Sequence, residues 1–119
     1  MKLVIHSVGT WSHPNIRLWE PDNADDFAIT LTVNIGPKGQ KGGDDFYIKY
    51  ATPIGLNHLE NPSNILSDRS LIVTKKFDYQ ELWKWLSETI KSCEKQTWAE
   101  CVEKLLRYFD WEFENYTQS

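Results

Sequence analysis

Residues 27–51 read FAITLTVNIGPKGQKGGDDFYIKYA, two runs of alternating side chains around a glycine-rich middle. In the first run, 27–35, every second residue is large and apolar, and the residues between are small or polar. In the second run, FYIKYA, the phenylalanine, the isoleucine and the second tyrosine share one face. A period of two is typical of strands with one buried face, and glycines suit a hairpin turn. The stretch therefore predicts two antiparallel strands, 27–35 and 45–52.

Further strands and two helices are predicted on either side of this hairpin. Residues 2–8 and 70–75 are rich in apolar, β-branched side chains, which favours strands. Apolar residues then recur at helical spacing in 78–93 and 98–109. Asp78 and Thr97 are capping residues at the starts of these runs, and each is followed three positions later by glutamate. Strands first and helices last predict an α+β fold, with an antiparallel β-sheet and C-terminal helices packed on one face. We expect residues 1–119 to form one domain.

The last ten residues fit two different patterns. Phe109, Phe113 and Tyr116 continue the helical stripe of the preceding segment. Trp111 and Phe113, however, alternate with glutamates as they would in a strand. The conformation of residues 110–119 therefore stays open at the level of sequence.

Composition limits the kind of partner and compartment. A chain of 119 residues that is 40% hydrophobic and 25% charged is typical of one folded globular domain. Its net charge of -4 argues against nucleic acid, because phosphate binding needs clustered lysine and arginine. The start, MKLVIHSV, resembles neither a signal peptide nor a membrane span, which predicts a cytoplasmic protein without a membrane partner. In that reducing compartment, we expect Cys93 and Cys101 to be buried free thiols.

Signals for catalysis, metals and cofactors are weak. The glycine-rich loop lacks the GxxxxGK[ST] pattern of phosphate-binding loops, and the scattered histidines match no zinc spacing. Glu112 and Glu114 have the spacing of paired carboxylates, but any exposed ExE segment has it too. We therefore predict a protein that is not an enzyme and has no metal or cofactor. The alternative is a small ligand-binding domain or enzyme with a pocket under the glycine-rich loop.

Acidic residues and tryptophans are the candidates for binding a partner. The acidic residues occur in local groups, which form either a solvated face or a docking surface for a cationic protein. Trp11, Trp19 and Trp83 lie outside the clear core stripes, so each is a candidate interface anchor or core residue. Asp25, Asp26, Asp44 and Asp45 are expected to be exposed charges. Their reversal to lysine should therefore cause little loss of stability. The candidate partner-binding residues are Asp25, Asp26, Asp44, Asp45, Glu112, Glu114, Trp11 and Trp19.

Several motifs resemble the immunity protein 8 family, and the resemblance covers most of the chain. Its most specific parts are the IGPKG and WEFENY motifs, which occur together at a similar separation. The stretch PIGL at 53–56 departs from the family, in which bulkier residues often lie between the proline and the leucine. The resemblance is carried by IGPKG at 35–39, Phe46, TP at 52–53, Leu56, Trp98 and WEFENY at 111–116.

The resemblance implies an immunity protein with no reaction of its own. Such a protein binds and neutralises the C-terminal toxin domain of a cognate polymorphic or contact-dependent growth inhibition toxin. An acidic binder suits a basic toxin domain, which it would cover by stoichiometric occlusion. The recurring glycines and tryptophans of the family, here Gly36, Gly39, Trp98 and Trp111, are expected to maintain the fold. An adaptor for another cytoplasmic protein would share every feature except the resemblance.

Overall fold

The computed structural model describes residues 1–59 and 65–114. Within these residues, five strands form one sheet, and two longer helices follow near the C-terminus. The strands are β1 (Leu3–Gly9), β2 (Ala28–Pro37), β3 (Asp44–Ala51), β4 (Leu71–Val73) and β5 (Asp110–Trp111). The helices are a 3₁₀ turn (Ile16–Leu18), α1 (Pro53–Asn57), α2 (Tyr79–Ser92) and α3 (Trp98–Leu105).

The central hairpin agrees with its prediction. Strands β2 and β3 pair antiparallel from Ala28 opposite Ala51 to Ile35 opposite Asp44. The turn between them needs glycine for two different reasons. Gly39 has a φ of +92°, which favours glycine, whereas a Cβ on Gly36 would lie 2.6 Å from the carbonyl oxygen of Gly42. Both glycines therefore maintain the fold, as expected.

The sheet has the order β1-β2-β3-β4, and β5 pairs with the start of β3 on the same side as β4. Most neighbouring strands are antiparallel, as predicted, but β4 runs parallel to β3. A parallel neighbour needs a long connection, and residues 52–70 supply it. That connection contains α1, which begins at Pro53 and is capped by the Thr52 side chain accepting from the Gly55 N–H. Neither α1 nor the parallel pairing was indicated by the sequence.

The core lies between one face of the sheet and the helices α2 and α3, which confirms the predicted α+β fold. Alternate residues of β2 and β3 are buried there, as are the apolar stripes of both helices. Phe46 lies at the centre of an aromatic cluster, in contact with the rings of Trp98, Phe109 and Trp111. The two cysteines are buried free thiols, not joined by a disulfide, as predicted.

The C-terminal segment combines the two patterns that the sequence left open. Helix α3 ends at Leu105, before the predicted end at residue 109, because the N–H groups of Tyr108 and Phe109 both bond to the Leu105 carbonyl in a closing turn. Phe109 nevertheless reaches the core. The chain then forms β5, so the strand pattern applies to its start. Residues 115–119 lie outside the described part of the chain.

No helix within the described residues is long and apolar enough to cross a membrane.

Candidate partner-binding surface

The acidic candidate residues lie at opposite ends of the sheet. Asp25 and Asp26 directly precede β2, whereas Asp44 and Asp45 begin β3 beside the far end of β2. The intervening length of β2 separates the two pairs by roughly 23 Å, at about 3.3 Å per residue.

Two names are used for these regions below. We call residues 10–26 the tryptophan loop. The hairpin acidic cluster consists of Asp44, Asp45, Glu112 and Glu114.

Trp11 is displayed by a tightly bonded turn at the start of the tryptophan loop, directly after β1. Its side chain is 96% exposed, although an indole carries a large apolar surface. The Thr10 N–H donates to the His13 carbonyl at 2.7 Å, and the His13 N–H donates back to the Thr10 carbonyl at 3.2 Å. The Ser12 hydroxyl lies 2.9 Å from His13 Nδ1. These bonds hold the backbone on both sides of Trp11, and such ordering lowers the entropic cost of any contact made through its indole.

The base of the tryptophan loop is anchored in the core. Ile16 is only 1% exposed, and the Asn15 side chain caps its 3₁₀ turn by accepting from the Arg17 N–H at 3.0 Å. Trp19 is partly buried and meets the rings of Phe27 and Phe77 edge-on, with centroids 6.3 and 5.3 Å away. Of the two interpretations left open for Trp19, the structure supports core packing. Trp19 therefore positions the loop on the core.

The carboxylates of the tryptophan loop are largely available to a partner. Glu20, Asp22 and Asp25 are exposed, and Asp26 is partly buried, with its carboxylate 3.4 Å from His58 Nε2. Beside Trp11, a depression of about 320 Å³ reaches the start of β2. The structure thus brings together four of the predicted residues at one end of the sheet: Trp11, Trp19, Asp25 and Asp26.

The hairpin acidic cluster is instead bonded within the protein. The Asp44 carboxylate accepts from Trp111 Nε1–H at 3.1 Å, and the Asp45 carboxylate accepts from Asn34 Nδ2–H at 2.9 Å. Glu112 accepts from the Asp45 backbone N–H. The expectation that Asp44 and Asp45 are exposed charges was wrong, because both are partly buried and hold β5 and β2 against the start of β3. Reversing either one would break a bond that supports the fold.

Glu114 belongs to an ion-pair network at the same end of the sheet. Arg69 contacts both Glu114 and Asp110, the latter at 3.1 Å. A hydrogen bond from Arg69 lowers the pKa of Glu114 below its ordinary value of 4.5. A hydrogen bond from Lys49 likewise lowers the pKa of Asp68 below 3.8. Both carboxylates are therefore held in the charged form by the fold.

These lowered pKa values predict a loss of stability in acid. A carboxyl group whose pKa is lower in the folded state stabilises the protein above its unfolded pKa, and this contribution disappears as the pH falls through the folded pKa. We expect stability to decline as the pH falls from about 5 to 3, and to decline less in Arg69→Met, which has already lost the Glu114 interaction. Urea unfolding at several pH values measures this slope. Lys41→Met, in the exposed hairpin turn, is the control, and an Arg69→Met slope equal to its slope would contradict the assignment.

Two further features of the site bear on its chemistry. Leu18, in the tryptophan loop, is 83% exposed, and the sequence had not indicated it because it belongs to no periodic run. Across residues 1–59 and 65–114, no three histidine, cysteine, aspartate or glutamate side chains cluster in a way that would hold a metal ion. The distinctive surface features of this part of the chain are thus apolar anchors and carboxylates.

A small α+β domain that displays an ordered, exposed tryptophan on the same loop as exposed carboxylates has the features of a protein-binding domain. Comparison of the chain with known families agrees with this class. The chain belongs to the immunity protein 8 family, whose model matches residues 3–116, and is therefore an immunity protein for a toxin. No curated protein and no solved structure gives a significant match. The family match confirms the resemblance noted in the IGPKG and WEFENY motifs.

Proposed function

We propose that this immunity protein binds the C-terminal toxin domain of a cognate polymorphic or contact-dependent growth inhibition toxin in the cytoplasm. It neutralises the toxin by stoichiometric occlusion and catalyses no reaction. The observation that carries the choice of surface is the exposure of Trp11 on a turn whose backbone is bonded on both sides. An exposed tryptophan on an ordered turn is the kind of residue that provides most of the energy of a protein interface.

The two parts of this surface have different roles in binding. Burying an indole removes roughly 150–250 Å² from water, or about 4–6 kcal/mol before the cost of association. Asp25 and the neighbouring carboxylates attract a basic toxin domain over a longer range and speed its encounter. Trp11 thus determines how long the complex lasts, and the carboxylates determine how fast it forms.

The alternative of an enzyme or ligand-binding domain has less support. The groove that reaches the glycine-rich turn is lined by apolar side chains, by lysines and by one carboxylate. Its carboxylate, Glu94, already accepts from the Leu3 backbone N–H and pairs with Lys2. A catalytic pocket needs convergent polar groups that are free to meet a substrate.

Co-expression with the product of the adjacent toxin gene tests the function directly. We expect a one-to-one complex on size exclusion with light scattering, and rescue of growth in cells that produce the toxin. Rescue without a complex would contradict stoichiometric occlusion. A complex without rescue would indicate an adaptor. If neither is observed, the proposed function is wrong.

The charged part of the surface gives a kinetic prediction. Asp25→Lys/Asp26→Lys is expected to slow association with the toxin roughly tenfold or more at low salt and to leave the melting temperature nearly unchanged. Stopped-flow measurements over a range of salt concentrations test this, since salt screens the attraction. Glu88→Lys/Glu103→Lys, on exposed helix positions, has the same net charge and is the matched control. Equal slowing in both variants would contradict a local role for the tryptophan loop.

A further inference from the structure

A groove runs between β1 and α2, at the end of β1 opposite to Trp11. Its volume is about 500 Å³, and its apolar lining includes Leu3, Ile5, Trp83 and Ile90. Trp83 is 40% exposed, although neighbouring apolar residues of α2 are buried. Ile90 belongs to the core and Leu3 and Ile5 pack partly against it, so Trp83 provides the accessible apolar surface of the groove that the core does not use.

One side of this groove is the unpaired edge of the sheet. Strand β1 is first in the strand order, and among the described strands it pairs only with β2. The Leu3 N–H points away from β2 and donates to the Glu94 carboxylate at 2.8 Å, so a side-chain oxygen takes the place of a strand carbonyl. Because backbone groups of alternate residues point to the same side of a strand, those of Ile5 also point away from β2. The edge next to the groove can thus accept another strand at Ile5, and at Leu3 once that strand displaces the Glu94 carboxylate.

The groove is also basic, in an otherwise acidic chain. Lys2, Lys38 and Lys91 line it together with Glu94. Glu94 is engaged by Leu3 and by Lys2, whose ammonium lies 3.8 Å away, whereas the Lys38 and Lys91 side chains are exposed. The net charge of the whole chain is -4, so the charge of the groove is opposite in sign to that of the chain. A ligand that suits the groove is therefore apolar in its middle and acidic along its sides.

We propose that the groove binds an extended, acidic peptide segment of a partner protein. The segment adds as a strand beside β1 and places an apolar side chain next to Trp83, while its carboxylates meet the lysines. Backbone hydrogen bonds then provide affinity, and the groove and the lysines provide specificity. This site does not include Trp11, which follows the opposite end of β1, although Trp83 also lines a depression beside residues 14–17 of the tryptophan loop.

A second copy of the chain fits this edge poorly. Pairing of two β1 edges would bring the lysines of both copies together, and like charges across strands are destabilising. The β1–β2 pair also has an irregular register between Ile5 and Ser7, which shortens the regular edge. Lysines and bulges are common protections against edge-to-edge association. The protein is accordingly expected to be monomeric in the absence of partners.

Synthetic peptides test the proposal with the full chain. The probe is a fluorescent, end-blocked peptide with valines in its middle and glutamates on both sides of them, measured by anisotropy at low salt. We expect saturable one-to-one binding, at least tenfold weaker binding when lysine replaces the glutamates, and loss of binding when alternate backbone nitrogens on the pairing side are methylated. Failure of the first peptide to bind, or equal binding by either modified peptide, would overturn the proposal. Dimerisation of the protein alone through β1 would instead favour a second copy and would also overturn it.

Charge reversal at the groove provides the matching protein variants. Lys38→Glu/Lys91→Glu is expected to weaken binding of the glutamate–valine peptide at least tenfold. Lys75→Glu/Lys76→Glu, a pair of exposed lysines beyond β4, is the matched control and is expected to change it less than about twofold. Trp11→Ala should leave peptide binding unchanged. A similar loss in the control pair would show that overall charge, and not the groove, attracts the peptide.

Discussion

Replacing Trp11 with alanine is expected to weaken toxin binding at least a hundredfold and to leave the melting temperature unchanged. A hundredfold loss corresponds to about 2.7 kcal/mol, which lies within the usual range for a dominant interface tryptophan. Stability is unaffected because the side chain is 96% exposed and makes little contact with the rest of the domain. Calorimetry of the toxin complex, with thermal unfolding of the free variant, separates the two effects.

The control for this experiment is another exposed tryptophan. Trp83 is 40% exposed and lies on α2, where it lines a depression with residues 14–17 of the loop but not with Trp11, so Trp83→Ala is expected to retain far more toxin binding than Trp11→Ala. The substitution Trp11→Phe keeps an aromatic surface and should retain part of the affinity. Wild-type binding by Trp11→Ala would place the toxin interface elsewhere, even if the protein still protects cells.

The second large effect concerns stability. Phe46→Ala is expected to lower the free energy of unfolding by about 3–5 kcal/mol. Phe46 is fully buried and stacks on Trp111 with an interplanar angle of 14°, and its ring also meets Trp98 and Phe109 edge-on. Removing it leaves a cavity where β5 and α3 meet the sheet. A loss of this size lowers the melting temperature by more than roughly 10 °C in a domain of this length.

Urea and thermal unfolding measure the loss, and two variants show where it comes from. Phe46→Leu keeps most of the volume and should cost less than half as much. Tyr47→Ala removes a ring from the next residue of β3, on the opposite face of the sheet, and should also cost less because that ring is only partly buried. If Phe46→Ala lowers the free energy of unfolding no more than Tyr47→Ala does, the aromatic cluster around Phe46 does not hold the C-terminal segment in place.

Much of the fold follows from short-range features of the sequence. The alternation of 27–35 predicts β2 because a strand turns successive side chains to opposite faces. Asp78 and Thr97 predict the starts of α2 and α3 because their side chains bond to helical N–H groups within three residues, and the structure has both bonds. The ending DWEFENY was ambiguous because the strand within it, Asp110–Trp111, has only two residues, too few to show the alternation of a strand.

The residues that can meet a partner depended on contacts between distant parts of the chain. The sequence offered Asp25 and Asp44 as equivalent exposed charges, but Asp44 is bonded to Trp111, which lies 67 residues further along. Trp11 and Trp19 were likewise equivalent until Trp19 was seen to pack on Phe27 and Phe77. Periodicity describes which face of its own element a side chain occupies. Whether that face is covered depends on the pairing of elements far apart in sequence. The tertiary structure therefore decided which of these acidic residues, and which of Trp11 and Trp19, remain accessible to a partner.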